Sequence, residues 1–306
     1  MSIATDSKFD EDLFNEEMKN LQGEARNILS SIRYGDCSQD GSAIVGKDNY
    51  IFIRDGSNRR SQQIPGYVSI SDMDFERTCA AVDQAELECR KRGIALCTIV
   101  IPEKDVIYPE FSPNCDGIAL GDRSVHKLIS ERPSVIYPWK ELINHKHICG
   151  LYHKFDSHFN AFGGFVIANS IFNNVKINPI QWDDISFVHR QWNDDLSVKW
   201  YKNSFNRRTI LEKYQETSIA QGNPLTGTHI LFNSDLSEND DTAIIFGDSY
   251  SWNPDAGISR YLLYRFKKLH FIWSRSIDWT FVDQVQPKLV IIQSAERFLV
   301  NGLVRA

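Results

Sequence analysis

The chain has 306 residues, with 34 Lys and Arg against 40 Asp and Glu, a formal net charge of -6. It is long enough to bury one large α/β core. The acidic balance, with basic residues only in short runs, excludes a nucleic-acid binder built on phosphate neutralisation. No stretch approaches the roughly 18 apolar residues of a membrane span, so no transmembrane segment is expected.

Apolar residues from Phe9 to Ile32 recur mostly at spacings of three and four, which predicts an amphipathic helix fit to pack on the domain or support a dimer. Residues 1–40 therefore read as an N-terminal helical segment. Ala43 to Ile53 reads as two short strands around Gly46-Lys47-Asp48-Asn49. Asp55 to Gly66 is polar and loop-like. A helix is predicted over about 72–92, capped by Ser71 or Asp72 and ended by Gly93. The basic run Arg90-Arg92 falls in its last turn, where cations complement the helix dipole. Together with Arg59-Arg60 and Arg207-Arg208 it is expected on solvated faces.

Ile94 to Ile101 is an apolar run stopped by Pro102, the pattern of a strand covered on both faces. Similar runs occur at Ser134–Tyr137, Thr242–Phe246, His270–Trp273 and Leu289–Ile292, with helical patterns at Ala161–Phe172 and Ile258–Leu269. Strand and helix in alternation predict a doubly wound α/β sheet. The region 174–240, polar and weakly periodic, reads as an insertion, a lid or a substrate platform. The six cysteines form no CxxC pair and are expected to be reduced and structural. The amino terminus lacks the basic start and apolar stretch of a signal peptide. A cytoplasmic location is expected, or a periplasmic one if a leader has been removed.

Two segments carry chemistry. In Thr242–Ser251 a buried strand runs into Gly247-Asp248-Ser249, placing a serine at the carboxyl end of a strand, where open α/β sheets bind ligands. Gly247 would permit a sharp turn, and the Ser249 N–H would face an oxyanion. The plainer alternative is a serine capping a helix. In Tyr152–Asn160, Asp156 and His158 stand two apart, so on an extended segment they project to one side. A serine hydroxyl needs a base near neutral pKa, held in one tautomer by an acid. Asp-x-His also serves in metal sites, but no second cluster of ligand spacing accompanies it, and no metal is expected.

Five segments in series resemble the SGNH-hydrolase-type polysaccharide O-acetyltransferases of the alginate O-acetylation protein family. They are Gly46-Lys47-Asp48-Asn49-Tyr50-Ile51-Phe52; Pro102-Glu103-Lys104 with Tyr108-Pro109-Glu110; Asp156-Ser157-His158-Phe159-Asn160; Gly247-Asp248-Ser249-Tyr250-Ser251; and Glu296-Arg297-Phe298-Leu299. The resemblance spans about residues 44–300. It implies an SGNH-like, mostly parallel sheet flanked by helices over 41–306, with the insertion between the Asp-x-His and Gly-Asp-Ser motifs. It also implies Ser249 as nucleophile, His158 as general base and Asp156 as its orienter. The order, with Asp-x-His before the serine, sets it apart from ordinary GDSL esterases.

On this resemblance the expected activity is transfer of an acetyl group through Ser249 to a carbohydrate hydroxyl. A carbohydrate acetyl esterase using the same triad and a non-catalytic glycan binder are the alternatives. No tightly bound cofactor is expected. The acetyl donor would be acetyl-CoA or a membrane acetyl-relay protein. Tyr250, Arg297 and Lys104 are candidate substrate-binding residues, with Lys104 equally readable as a snorkelling surface lysine and Arg297 as an ion pair with Glu296. Trp182, Trp192 and Trp200 are candidates for stacking on sugar rings or for packing. Asp248 is expected to fix the turn rather than to react, and His153 has no assigned role.

Overall fold

The computed structural model describes residues 30–115, 120–185, 187–201, 205–211, 215–220, 227–237, 239–253 and 257–303, excepting the side chains of 57, 187–192, 205–211 and 215–220. The strands are β1 (Ala43–Val45), β2 (Ile51–Ile53), β3 (Ala95–Ile101), β4 (Val135–Ile136), β5 (Phe187–Asn193), β6 (Phe205–Leu211), β7 (Gln215–Ala220), β8 (His229–Asn233), β9 (Thr242–Gly247), β10 (Lys268–Trp273) and β11 (Leu289–Ala295). The helices are α1 (Arg60–Gln63), α2 (Asp72–Arg92), α3 (Lys104–Ile107), α4 (Ser124–Glu131), α5 (Trp139–His145), α6 (Ala161–Asn174), α7 (Ser249–Trp252), α8 (Ile258–Leu262) and α9 (Trp279–Val285).

Seven strands form the central sheet in the order β4-β3-β11-β9-β10-β8-β7. The pairs β4–β3, β3–β11, β11–β9 and β9–β10 are parallel, while β8 joins β10 and β7 joins β8 antiparallel. Both antiparallel strands come from the 174–240 stretch, so part of it completes the sheet. β5 and β6 pair apart from it.

Alternation along the strands sorts the core into two faces. Cys97, Ile99 and Ile101 of β3 and Leu289 and Ile291 of β11 pack with the apolar helix α6 and with α8. Val100 of β3 and Ile292 of β11 point the other way, onto Phe75, Cys79 and Val82 of α2. All seven residues of β11 are buried, which explains why a parallel strand covered on both sides reads as an unbroken apolar run. Fully burying one such Ile or Leu contributes roughly 1.5–3 kcal/mol.

α2 starts where Ser71 accepts from the Asp74 N–H and ends at Gly93, whose φ of 66° needs a residue without Cβ strain. The expected helix over Ile258–Leu269 is shorter: α8 ends at Leu262 and β10 begins at Lys268. Polar residues at Arg265, Lys267 and Lys268 interrupt the pattern, and Leu269 at its tail belongs to the next strand. The helix predicted for Phe9–Ile32 lies outside the described residues except for its last turn at 30–31. Cys79, Cys89, Cys97, Cys115 and Cys149 are buried free thiols, and Cys37 is an exposed one.

The solvated-face expectation fails for Arg60, which is fully buried in α1. Its guanidinium makes two hydrogen bonds to Asp105 (2.7 and 3.2 Å) and lies 3.7 Å from Glu296. Glu296 also accepts from Arg123 at 2.6 Å and from the Tyr137 hydroxyl at 2.8 Å. Burial alone would raise the Glu296 carboxyl, but Arg60 and Arg123 hold it below its ordinary value. Arg92 behaves as expected of a helix end, pairing with Glu88 and with Asp283 of α9. The side chains of Arg207 and Arg208 lie outside the described residues. Among the described residues no helix is long and apolar enough to cross a membrane.

Candidate active site

β9 ends at Gly247, next to Trp273 at the end of β10, so Asp248 and Ser249 emerge at the carboxyl edge of the parallel strands. Asp248 is the cap of α7. Its Oδ1 accepts from the Tyr250 N–H at 3.0 Å and its Oδ2 from the Ala295 N–H at 2.7 Å. Gln293 of β11 completes the lock: its Nε2 donates to Asp248 Oδ1 (2.8 Å), and its Oε1 accepts from the Asp248 N–H (3.0 Å) and the Ser251 hydroxyl (2.8 Å). A Cβ on Gly247 would lie 2.6 Å from Gln293 Oε1. Position 247 thus needs glycine for space beside Gln293.

The second half of the site is a tight loop closed by a Tyr152–Phe159 bridge, not an extended segment. Asp156 and His158 meet because the chain bends. Asp156 Oδ1 accepts from the His158 backbone N–H at 2.9 Å, a turn typical of aspartate, and stands 2.6 Å from His158 Nδ1. His158 Nε2 lies 2.8 Å from Ser249 Oγ. With Nδ1 protonated toward Asp156, Nε2 is left to accept the serine proton, a tautomer fixed by the network. Burial would push the imidazole pKa down. The Asp156 charge and hydrogen bond, helped by Asp195 and opposed by Arg297, hold it above its ordinary value.

The three candidate substrate contacts each have a partner within the protein, and of them only Arg297 borders the neighbouring cavity. Lys104 is buried and donates to three backbone carbonyls, those of His153 (3.0 Å), Lys154 (3.1 Å) and Asp156 (2.7 Å). It is neither a surface lysine nor a substrate ligand. It fastens the loop that carries Asp156 and His158, although burial pushes its pKa down to about 8. Lys104→Met would take the ammonium donor from all three carbonyls, of which that of Lys154 keeps the Ile51 N–H at 2.8 Å. The variant is expected to lose about 3 kcal/mol of stability in a denaturant titration, and an unchanged midpoint would refute this tether.

Tyr250 is fully buried rather than lining an acyl pocket. Its hydroxyl donates to the Ser157 carbonyl at 2.9 Å, and its ring packs 5.1 Å from His158 and 5.2 Å from Phe159. Arg297 pairs with Glu103 and not with Glu296: its Nη1 is 2.9 Å from both Glu103 oxygens. Adjacent residues of the 296–301 turn point to different partners, which sequence adjacency hid. Trp182 packs edge-on against Phe162 and Phe165, and Trp200 packs near Phe155 and Leu196. The Trp192 side chain lies outside the described residues.

A cavity of about 290 Å³ opens beside the catalytic loop, lined by Ser157, Asp195, Arg297, Arg60, Lys199 and Asn58 among others. Asp195 was missed in the sequence. It shares a neighbourhood with Asp156 and His158 compact enough to hold a cation, but both triad partners are already hydrogen-bonded to one another. Gln293 was missed as well; its only local signal is a polar Gln-Ser pair closing an apolar strand.

Neither a protein-family model nor a curated protein matches the sequence. Solved structures do match in shape. A DHHW family protein from Eubacterium siraeum superposes with a TM-score of 0.58 at 11% identity, covering 86% of this chain and 96% of that one. Bacillus cereus PatB1 carrying a sulfonyl adduct gives 0.58 at 10%, covering 86% and 100%. Pseudomonas aeruginosa AlgX gives 0.52 at 16%, covering 83% of this chain and 61% of that one. At such identities the likeness is one of fold, and the chain has the expected mixed α/β architecture, a mostly parallel sheet flanked by helices.

Proposed function

We propose that this protein is a serine-dependent O-acetyltransferase that moves an acetyl group through Ser249 to a carbohydrate hydroxyl. The observation that carries the proposal is the unbroken path from Ser249 Oγ to His158 Nε2 (2.8 Å) and from His158 Nδ1 to Asp156 Oδ1 (2.6 Å). In the first step His158 takes the Ser249 proton as Oγ bonds to the acyl carbon. The Ser249 backbone N–H is the donor this segment offers to the resulting oxyanion. Collapse returns the proton to the departing donor and leaves the acetyl-serine ester. The same imidazole then deprotonates an acceptor hydroxyl, which attacks the ester and frees Ser249. Asp156 stabilises the imidazolium throughout and takes no proton.

The motif resemblance supports a polysaccharide or its precursor as acceptor, and the polar cavity bordered by Ser157 and Asp195 suits a hydroxyl-rich ligand. A soluble thioester such as acetyl-CoA is the proposed donor for a cytoplasmic protein, and a membrane acetyl-relay partner for an exported one. The sulfonyl adduct on PatB1 suggests a direct probe, since a sulfonyl fluoride modifies an activated serine. Incubation with an acetyl donor and oligosaccharides, followed by mass spectrometry, is expected to give acetylated sugar. Free acetate alone would replace the transferase with an esterase. Absence of both turnover and Ser249 labelling would leave a glycan binder.

A further inference from the structure

We propose that Asp195 is a positioning residue, holding the Asp156 carboxylate and the His158 ring in working geometry from the outer side of the catalytic loop. The inference rests on the catalytic reading of Ser249 given above. It is drawn from a turn in the 174–240 stretch, far in sequence from both triad motifs.

Three sets of contacts fasten this turn to the loop. The Asp195 backbone N–H donates to Asp156 Oδ2 at 2.8 Å, while Asp156 Oδ1 is occupied by His158. Both oxygens are therefore fixed, and the carboxylate cannot rotate away from the imidazole without breaking a charge-assisted bond. The Asp195 carboxylate clasps Ser157, accepting the Ser157 N–H on Oδ1 (2.7 Å) and its hydroxyl on Oδ2. The N–H groups of Leu196 and Ser197 both donate to the Phe155 carbonyl, at 3.3 and 3.1 Å. Residues 155, 156 and 157 are thus each gripped by the same turn.

Asp195 also acts by its charge. Its Oδ2 lies 3.7 Å from His158 Nδ1. The groups facing His158 are Asp156 and Asp195, which favour imidazolium; Arg297, which opposes it; and the neutral Ser249, Ser157 and Tyr250. Asp156 is buried, whereas the Asp195 side chain is 42% exposed and borders the cavity shared with Arg297 and Lys199. Solvent screens it more, so its share of the field is the smaller one.

The test is a titration of the His158 imidazole by NMR, with the resonance assigned through His158→Gln, in the parent and in Asp195→Asn. The asparagine keeps the shape and removes the charge. The His158 midpoint is expected to fall by about half a pH unit, and the acid limb of the kcat/KM profile to move with it. Ser157→Ala breaks one arm of the clasp and keeps the Asp195 charge, so its midpoint is expected to stay while kcat falls. Coincident midpoints in parent and Asp195→Asn would overturn the inference, as would equal shifts in both variants. The titration is read on unreacted protein. A parent without turnover would defeat the catalytic reading, and the midpoints would still decide this one.

Discussion

Replacing Ser249 with alanine is expected to lower acetyl-ester turnover by about 10³- to 10⁶-fold. The change removes one oxygen from a half-buried position and leaves the lock around it intact, because Asp248, Gln293 and the Ala295 N–H make their bonds without the serine side chain. The loss would therefore report chemistry rather than folding. What survives is catalysis by binding and backbone donors alone. Labelling by a fluorophosphonate should disappear in the same variant. Turnover equal to the parent would remove Ser249 from the mechanism.

Asp156→Asn is expected to cost about 10⁴-fold in kcat, the scale seen when a triad aspartate becomes an amide. Asp156 Oδ1 receives two N–H groups from His158, and Oδ2 receives the Asp195 N–H. An asparagine offers only one oxygen for these donors, so the ring loses its fixed tautomer. The pH profile carries a second signature. The working base is neutral imidazole, and its pKa is raised in the folded protein chiefly by Asp156 against the opposing effect of burial. Parent activity should accordingly rise with pH through a midpoint above the usual histidine value. Without the Asp156 charge that midpoint should move to lower pH, even as the plateau falls. A pH–rate series on both proteins measures this, and a midpoint that stays put would show that Asp156 does not act on His158.

Those features were legible where chemistry is local. The apolar runs of β3, β9 and β11 announced buried parallel strands because both faces of each are covered, whereas in β10 only Leu269 and Phe271 are buried. Ser71 and Gly93 marked the ends of α2 through their own backbone bonding. The motif order placed Asp156, His158 and Ser249 together before any distance was known. What stayed hidden depends on contacts far apart in the chain. Arg60 looks like half of a surface pair until Asp105 and Glu296 are brought beside it. Lys104 looks solvated until three carbonyls of a loop some fifty residues away surround it. Asp195 sits in a polar stretch with no periodicity, and only the fold lays it against Asp156. β8 gave little signal because its burial alternates along the strand, without the double burial that made the central strands readable.

The two halves of the site are held by different kinds of cohesion. Ser249 stands on a β-sheet whose hydrophobic burial is inseparable from global folding. His158 rides on a loop pinned at Phe155 and Phe159 by burial in the core and between them by polar bonds to the Lys104 ammonium and the Asp195 turn. Opening of the short polar stretch between those two anchors would cost less than unfolding the domain. A folded molecule with its base swung out would then have lost the proposed chemistry while its sheet stayed intact.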